Sequence, residues 1–140
     1  MDIARTRGVR AGSYGDPALV PAAVWGSLRV VTGYTHQWRK PWAQAHKAWC
    51  MASCDGHADV LEAQAAGWRT FEAVSDGQVH TGSAVQCPNV THGTQCQDCM
   101  LCGGRNKDAR SVWLPVHGSL VSSESIPVLT GRRALQVWAA

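Results

Sequence analysis

The chain has 140 residues, of which 45% are hydrophobic, and a formal net charge of +3; these values predict one globular domain with a core of its own. Its apolar runs are too short for a transmembrane helix, and its first residues lack the apolar core of a signal peptide. We therefore expect a cytoplasmic protein without a membrane partner. In a reducing compartment its six cysteines favour metal or redox chemistry over structural disulfides. The Lys and Arg residues form no dense stripe, so charge alone gives nucleic-acid binding little support.

Predicted strands and helices alternate over most of the chain. The pattern of apolar residues predicts strands at 9–14, 30–35, 50–54, 68–74 and 111–118, and helices at 18–29, 42–49 and 57–66. The first helix starts at Ala18 or at Pro21, Gly67 ends the third, and Pro115 makes the last strand an edge or terminal one. This order predicts an α/β fold with a parallel sheet of four to five βα units. Such a sheet is half-barrel-like, equivalent to half of a (β/α)8 barrel, or a small open sheet.

The predicted domain covers residues 1–118 and includes a cysteine-rich metal loop at 87–104. Beyond Gly118 the pattern decays, and we expect residues 119–140 to form a poorly ordered tail with the composition of a linker. Half of a barrel would leave strand edges exposed, which favours self-association or association with a missing N-terminal half.

Four of the cysteines are concentrated in this loop, where Cys87-Pro88 precedes a C-x2-C-x2-C run. Each C-x2-C step places two thiolates on one side of a tight turn, and nearby glycines let the loop curl around a small centre. The predicted metal ligands are Cys87, Cys96, Cys99 and Cys102. A triplet with a Cys-Pro is typical of bacterial ferredoxins, although here the Cys-Pro comes first, and it favours a [4Fe–4S] cluster. The alternatives are a structural zinc ion held by four thiolates and a loop that binds no metal.

Polar side chains follow several of the predicted strands. Because ligands collect at the carboxyl ends of parallel strands, the candidate residues for contacting a substrate or cofactor are Asp16, His36, Asp55 and His117. Each has a structural alternative: Asp16 suits a helix N-cap, Asp55 and His117 each precede a glycine and suit a turn, and His36 suits a structural hydrogen bond. Cys50 and Cys54 are predicted to be buried thiols that act as small apolar residues.

Between Val9 and Gly118 the chain contains, in order, the motifs Gly12-Ser-Tyr-Gly-Asp-Pro17, Thr32-Gly-Tyr-Thr-His-Gln-Trp38, Trp49-Cys-Met-Ala-Ser53, Ala66-Gly-Trp-Arg-Thr-Phe71, the cysteine loop and Val116-His-Gly118. Together they resemble an uncharacterised family of phage- and plasmid-borne proteins. Longer members of that family carry an N-terminal half similar to phage proteins related to radical S-adenosylmethionine barrels. The resemblance implies that this chain is the carboxyl half of such a barrel, in the cytoplasm of a bacterial host, with an unknown substrate.

A radical S-adenosylmethionine enzyme needs a three-cysteine cluster with one iron free for the cofactor. The resemblance therefore implies that the four-cysteine loop is an auxiliary, fully ligated site, and that any enzymatic role belongs to the complete barrel. The alternative from a different class is a zinc-stabilised module that binds nucleic acid or a host protein. In that case Arg105, Lys107 and Arg110, just beyond the cysteines, would contact phosphate.

Overall fold

The computed structural model describes residues 8–28, 30–104 and 110–116, which contain seven parallel strands. The strands are β1 (Gly8–Arg10), β2 (Val30–Thr32), β3 (Tyr34–Thr35), β4 (Met51–Cys54), β5 (Thr70–Val74), β6 (Val85–Gln86) and β7 (Val112–Pro115). β1 pairs with β2, and the other five form a sheet in the order β3-β4-β5-β7-β6. Every strand pair is parallel. The predicted α/β class with a parallel sheet is confirmed.

Gly33 separates β2 from β3 and connects the two sheets. The carbonyl oxygen of Gly33 accepts a hydrogen bond of 2.9 Å from the backbone N–H of Met51, while that of Thr32 accepts one of 2.7 Å from Ala11. Segment 30–35 therefore pairs with β1 on one side and with β4 on the other. The sequence predicted one strand over this range, and the structure divides it into β2 and β3 at Gly33. A Cβ atom at Gly33 would lie 2.9 Å from the carbonyl oxygen of Ala11, so the close approach of β1 requires glycine.

The helices are short. They are α1 (Ala22–Gly26), α2 (His57–Ala65), α3 (Pro88–His92) and α4 (Cys96–Cys99), with 3-10 helices at Pro17–Leu19 and Pro41–Ala48. Of the two predicted starts for the first helix, Ala18 is wrong, because Val20 and Pro21 have extended ψ angles of 135° and 134°, whereas the start at Pro21 is confirmed, since Pro21 is the N-cap of α1. A residue that precedes proline is pushed out of the helical region, so the chain makes one 3-10 turn and starts a new helix after Pro21.

The core has two parts, one on each face of the sheet. One part is covered by α2 and consists of Trp38, Cys50, Ala52, Cys54, Val60, Ala63 and Trp68. The other part contains Met51, Phe71 and Val112, and residues of the cysteine loop pack against it. Successive strand residues point to opposite faces, so Met51 and Ala52 belong to different parts. The prediction that Cys50 and Cys54 are buried free thiols is confirmed.

β7 lies between β5 and β6, and Pro115 is its last residue. Gln86, the end of β6, is opposite Trp113, whereas Pro115 pairs with Val74 of β5. Pro115 has no N–H to donate. β6 ends at Gln86, opposite Trp113, so it does not reach Pro115 and needs no hydrogen bond from it. The prediction that Pro115 makes this strand an edge or terminal one is therefore wrong, because the two-residue strand β6, which was not predicted, pairs with β7 on its other side.

Several predictions concern parts of the chain outside the described residues. These are the assignment of a role to His117, the contacts of Arg105 and Lys107, and the poorly ordered tail at 119–140. Within the ranges that the structure describes, no helix is both long enough and apolar enough to cross a membrane.

Candidate functional site

The four cysteines predicted as metal ligands line one cavity of about 310 Å³. Its wall on the sheet side is formed by side chains that include Tyr34, Phe71 and Leu114. The rings of Tyr34 and Phe71 stack with their centroids 4.4 Å apart and their planes 9° apart. The cysteine loop forms the opposite wall, so the cysteines lie beside a partly apolar surface.

Local backbone geometry brings the four thiols to this cavity. Cys87 follows β6, and its N–H donates a 2.8 Å hydrogen bond to the carbonyl of Trp113. α3 then ends at Gly93 in the left-handed conformation, with φ 67°, which suits glycine. Cys96 and Cys99 are the ends of α4, and Met100 reverses the chain with φ 53°. The carbonyl of Cys102 accepts a 3.2 Å hydrogen bond from Gly33, which fixes the end of the run to the sheet.

The surroundings of Cys102 raise the pKa of its thiol. Burial, together with the nearby thiols of Cys87, Cys99 and Cys96, raises the pKa of Cys102 to about 12. Cys96 is exposed, whereas Cys87 and Cys99 are partly buried. A thiol with such a pKa keeps its proton at neutral pH, so a metal that binds Cys102 must displace that proton.

The four thiols share the cavity without forming a ready site for one ion. Among residues 8–28, 30–104 and 110–116, no group of three or more His, Cys, Asp or Glu side chains is arranged to hold a metal ion. The assignment of these cysteines as metal ligands therefore stays a prediction.

Arg10 brings a positive charge to the edge of the cavity. It is the last residue of β1, and its Nη2 donates a 3.1 Å hydrogen bond to the hydroxyl of Tyr34. Partial burial disfavours the charge on Arg10, but Tyr34 and the thiols of Cys96 and Cys102 outweigh it, so the pKa of Arg10 is raised. Sequence reasoning missed Arg10 because nothing local connects β1 with a loop so far along the chain.

Arg69 fixes the carboxyl end of the cysteine loop. Its guanidinium donates to the carbonyl of Gly103, to that of Leu101 at 3.0 Å and to that of Arg110 at 2.7 Å. The residue is only 7% exposed. Sequence reasoning missed it as well, although a signal existed: an arginine inside a predicted strand is seldom buried unless its donors are satisfied.

Asp16 has the geometry of a structural cap. Its Oδ1 accepts hydrogen bonds from the N–H of Ala18 at 2.9 Å and from the hydroxyl of Thr35 at 2.5 Å. Its Oδ2 accepts one of 2.8 Å from the N–H of His36. Both carboxylate oxygens are thus used to join the 3-10 turn at Pro17–Leu19 to the end of β3, which is the N-cap alternative considered for this residue.

His36 lies beside Asp16 at a second cavity of about 460 Å³, which also includes Tyr14 and Tyr34 in its lining. The Nε2 atom of His36 is 3.0 Å from the hydroxyl of Ser53. Asp55 is exposed in the turn before α2 and lines neither of the two cavities. The structure thus brings together two of the four candidates at the strand ends, Asp16 and His36.

Comparison of the chain with protein-family models, with curated proteins and with solved structures finds no match. The function must therefore be argued from the chemistry of the site itself.

Proposed function

We propose that the loop 87–104 binds a metal centre, an iron–sulfur cluster, through Cys87, Cys96, Cys99 and Cys102. The observation that supports this proposal is the presence of all four cysteines in the lining of one cavity of about 310 Å³. In a reducing compartment, a set of four neighbouring cysteines is more often used for metal binding than for disulfides. The free state of all four thiols in this structure is compatible with that use.

A cluster suits thiols that are spread around a cavity better than a single zinc ion does. Zinc–sulfur bonds are about 2.3 Å long, so one zinc ion would draw the four thiolates close together and would not need a cavity. A cubane cluster instead places its thiolate ligands around a larger inorganic core. Apolar side chains such as Phe71 and Leu114, which line the cavity, would restrict water around that core, as the surroundings of metal centres commonly do.

Metal binding requires the loop to close on the metal centre, because the thiols are not yet arranged around a common point. The loop is built for such an adjustment, since α3 and α4 are only five and four residues long. Its two ends are held by β6 and by Arg69, so the adjustment is confined to the segment between them. Coupling between metal binding and local folding is common in small cysteine sites.

The test is anaerobic purification and reconstitution with iron and sulfide, followed by metal analysis and a visible absorption spectrum. We expect a broad band at roughly 400 nm and about four irons per chain. Cys99→Ala should lose the cluster, whereas Cys50→Ala, which removes a thiol from the opposite face of the sheet, should keep it. Stoichiometric zinc without colour would replace the cluster by a structural zinc ion and favour the nucleic-acid- or protein-binding module. A chain that binds neither metal would refute the proposal.

The resemblance to phage- and plasmid-borne proteins extends this proposal. On that reading the chain is part of a larger barrel of the radical S-adenosylmethionine type, and the cluster assists a reaction on a substrate that the complete barrel binds. A missing half or a second copy would then pair with the sheet. The outer strands β1 and β6 are the places where such pairing would occur.

A further inference from the structure

Arg10 faces the four thiols from the sheet side of the cavity. It lines the cavity together with Cys87, Cys96, Cys99 and Cys102. The hydrogen bond to the hydroxyl of Tyr34 holds its side chain, and its guanidinium carbon lies 5.9 Å from the centroid of the Tyr34 ring. The cysteine helix α4 packs against β1, so the strand that carries Arg10 contacts the segment between Cys96 and Cys99.

The charges around the cavity are unequal once a metal is bound. Four thiolates exceed the positive charge of one zinc ion, or of a cubane core in its oxidised state, by two units. Among the described residues that line the cavity, Arg10 is the single Lys, Arg, Asp or Glu side chain. The described part of the cavity wall therefore contains no carboxylate that could form an ion pair with Arg10. The hydrogen bond to Tyr34 holds the guanidinium beside the cavity, but the Arg10 side chain is exposed, so its field on the thiolates is screened by salt.

We propose that Arg10 is the charge partner of the four-cysteine site and increases its affinity for metal. This inference rests on the proposed function, because it needs the thiols to act together as metal ligands. Arg10 is not a metal ligand: its charge offsets the repulsion among the thiolates. Removal of a residue that supports metal ligands in this way typically costs 10- to 100-fold in affinity.

The experiment is an anaerobic titration with Co²⁺, followed by the thiolate-to-cobalt absorption of the complex. We compare the wild-type chain with Arg10→Gln, Arg10→Lys and, as a matched control, Arg39→Gln. Arg39 contacts Asp59 and Glu62 at 2.6 Å and lines no part of the cavity. Arg10→Gln should bind Co²⁺ about 10- to 100-fold more weakly. Arg10→Lys should lose less, and Arg39→Gln should bind like the wild type.

Ionic strength separates the charge of Arg10 from a structural role. The difference between the wild type and Arg10→Gln should shrink between about 0.05 M and about 1 M salt, since salt screens a partly exposed charge. Tyr34→Phe is a second variant, which removes the hydrogen bond and keeps the cation, and it should weaken binding less than Arg10→Gln. In the iron-loaded chain, Arg10→Gln should also lower the reduction potential, because the cation favours the more negative, reduced cluster.

The failures are distinguishable. If the wild type binds Co²⁺ and Arg10→Gln binds it equally well, the role of Arg10 is refuted and the metal site stands. If Arg10→Gln and Arg10→Lys lose the same affinity at every salt concentration, Arg10 holds β1 in place and is not a charge partner. If the wild type binds neither Co²⁺ nor iron, the proposed function falls, and this inference falls with it.

Discussion

Arg69 illustrates how one buried side chain holds a loop on a sheet. Its guanidinium satisfies the carbonyls of Leu101, Gly103 and Arg110, which lie on either side of the end of the cysteine run. Burial lowers the pKa of Arg69, and the neighbouring thiol of Cys102 partly opposes this change. The charge is kept because three carbonyl dipoles replace the water that the guanidinium has lost.

Replacing Arg69 with Met should destabilise the domain by about 1–3 kcal/mol, because it removes three hydrogen bonds to part-buried carbonyls. Urea unfolding of the metal-free protein measures this loss, and Arg69→Lys should lose less. Arg39→Met is the matched control, since its ion pairs with Asp59 and Glu62 are exposed and exposed pairs contribute little to stability. A loss in Arg69→Met no larger than that of the control would contradict the role assigned to Arg69.

Two buried thiols, Cys50 and Cys54, and the partly buried thiol of Cys102 predict that the metal-free protein is sensitive to alkali. Burial is the main cause that raises the pKa of Cys50, Cys54 and Cys102 from 9.0 to about 12. Above pH 9 the unfolded chain loses protons that the native chain keeps, so the free energy of unfolding falls as the pH rises towards 12. Below pH 9 this contribution is fully present. The slope is at most about 1.4 kcal/mol per pH unit for each thiol.

Urea unfolding at about pH 8 and about pH 10 measures this fall. Cys50→Ala lacks one of the three thiols, so its stability should fall less steeply with pH than that of the wild type. The comparison uses the change with pH, because the substitution itself also removes packing in the core. Identical slopes for the two proteins would show that Cys50 titrates normally.

At the scale of elements, prolines and glycines account for much of the difference between predicted and observed helices. α2 matches its prediction to within one residue, because an uninterrupted run ends at Gly67, which has a φ of 79°. The helix predicted over 18–29 is divided at Pro21. The helix predicted over 42–49 is a 3-10 helix, Pro41–Ala48, and residue pattern alone does not distinguish the two hydrogen-bonding schemes.

Gly104 is the position where the cysteine loop passes closest to the backbone that precedes β4. A Cβ atom there would lie 2.8 Å from the carbonyl oxygen and 3.0 Å from the nitrogen of Cys50. Gly104→Ala should therefore push the end of the loop away from the sheet and destabilise the domain by about 1–3 kcal/mol. We also expect weaker Co²⁺ binding, since Cys102 moves with the loop.

Gly56→Ala is the control for this prediction. A Cβ atom at Gly56 meets nothing within 4 Å, and its φ of 170° is extended backbone. Its Co²⁺ affinity, measured by the same titration, should equal that of the wild type. Equal affinity in Gly104→Ala would mean that the position of the loop end does not affect the site.

For the whole molecule, the sheet has a helix on one face and the cysteine loop on the other. The two parts of the core meet through β4, whose four residues are all buried. A metal centre in the loop would therefore be in contact with the core part that contains Met51, Phe71 and Val112. Stabilising the loop should stabilise the entire domain.

Metal loading should raise the free energy of unfolding by about 2.7 kcal/mol when the free metal is at 100 times its Kd, provided that the unfolded chain does not bind it. Thermal unfolding with and without Zn²⁺ measures this increase, and a chelator should reverse it. Cys99→Ala should show no increase, whereas Cys50→Ala should show the wild-type increase. An increase that survives in Cys99→Ala would place the metal elsewhere.

The sequence by itself determined the α/β class, the positions of the longer strands and α2, and the grouping of four cysteines in one loop. These features depend on neighbours along the chain: apolar periodicity, helix-ending glycines and cysteine spacing. Only the tertiary structure decided that Arg10 and Arg69 meet that loop, that Asp16 is a cap for the end of β3, and that β6 exists. The reason is physical: these features are hydrogen bonds and charge contacts between segments that strand pairing brings together, and residue pattern carries little information about such pairing.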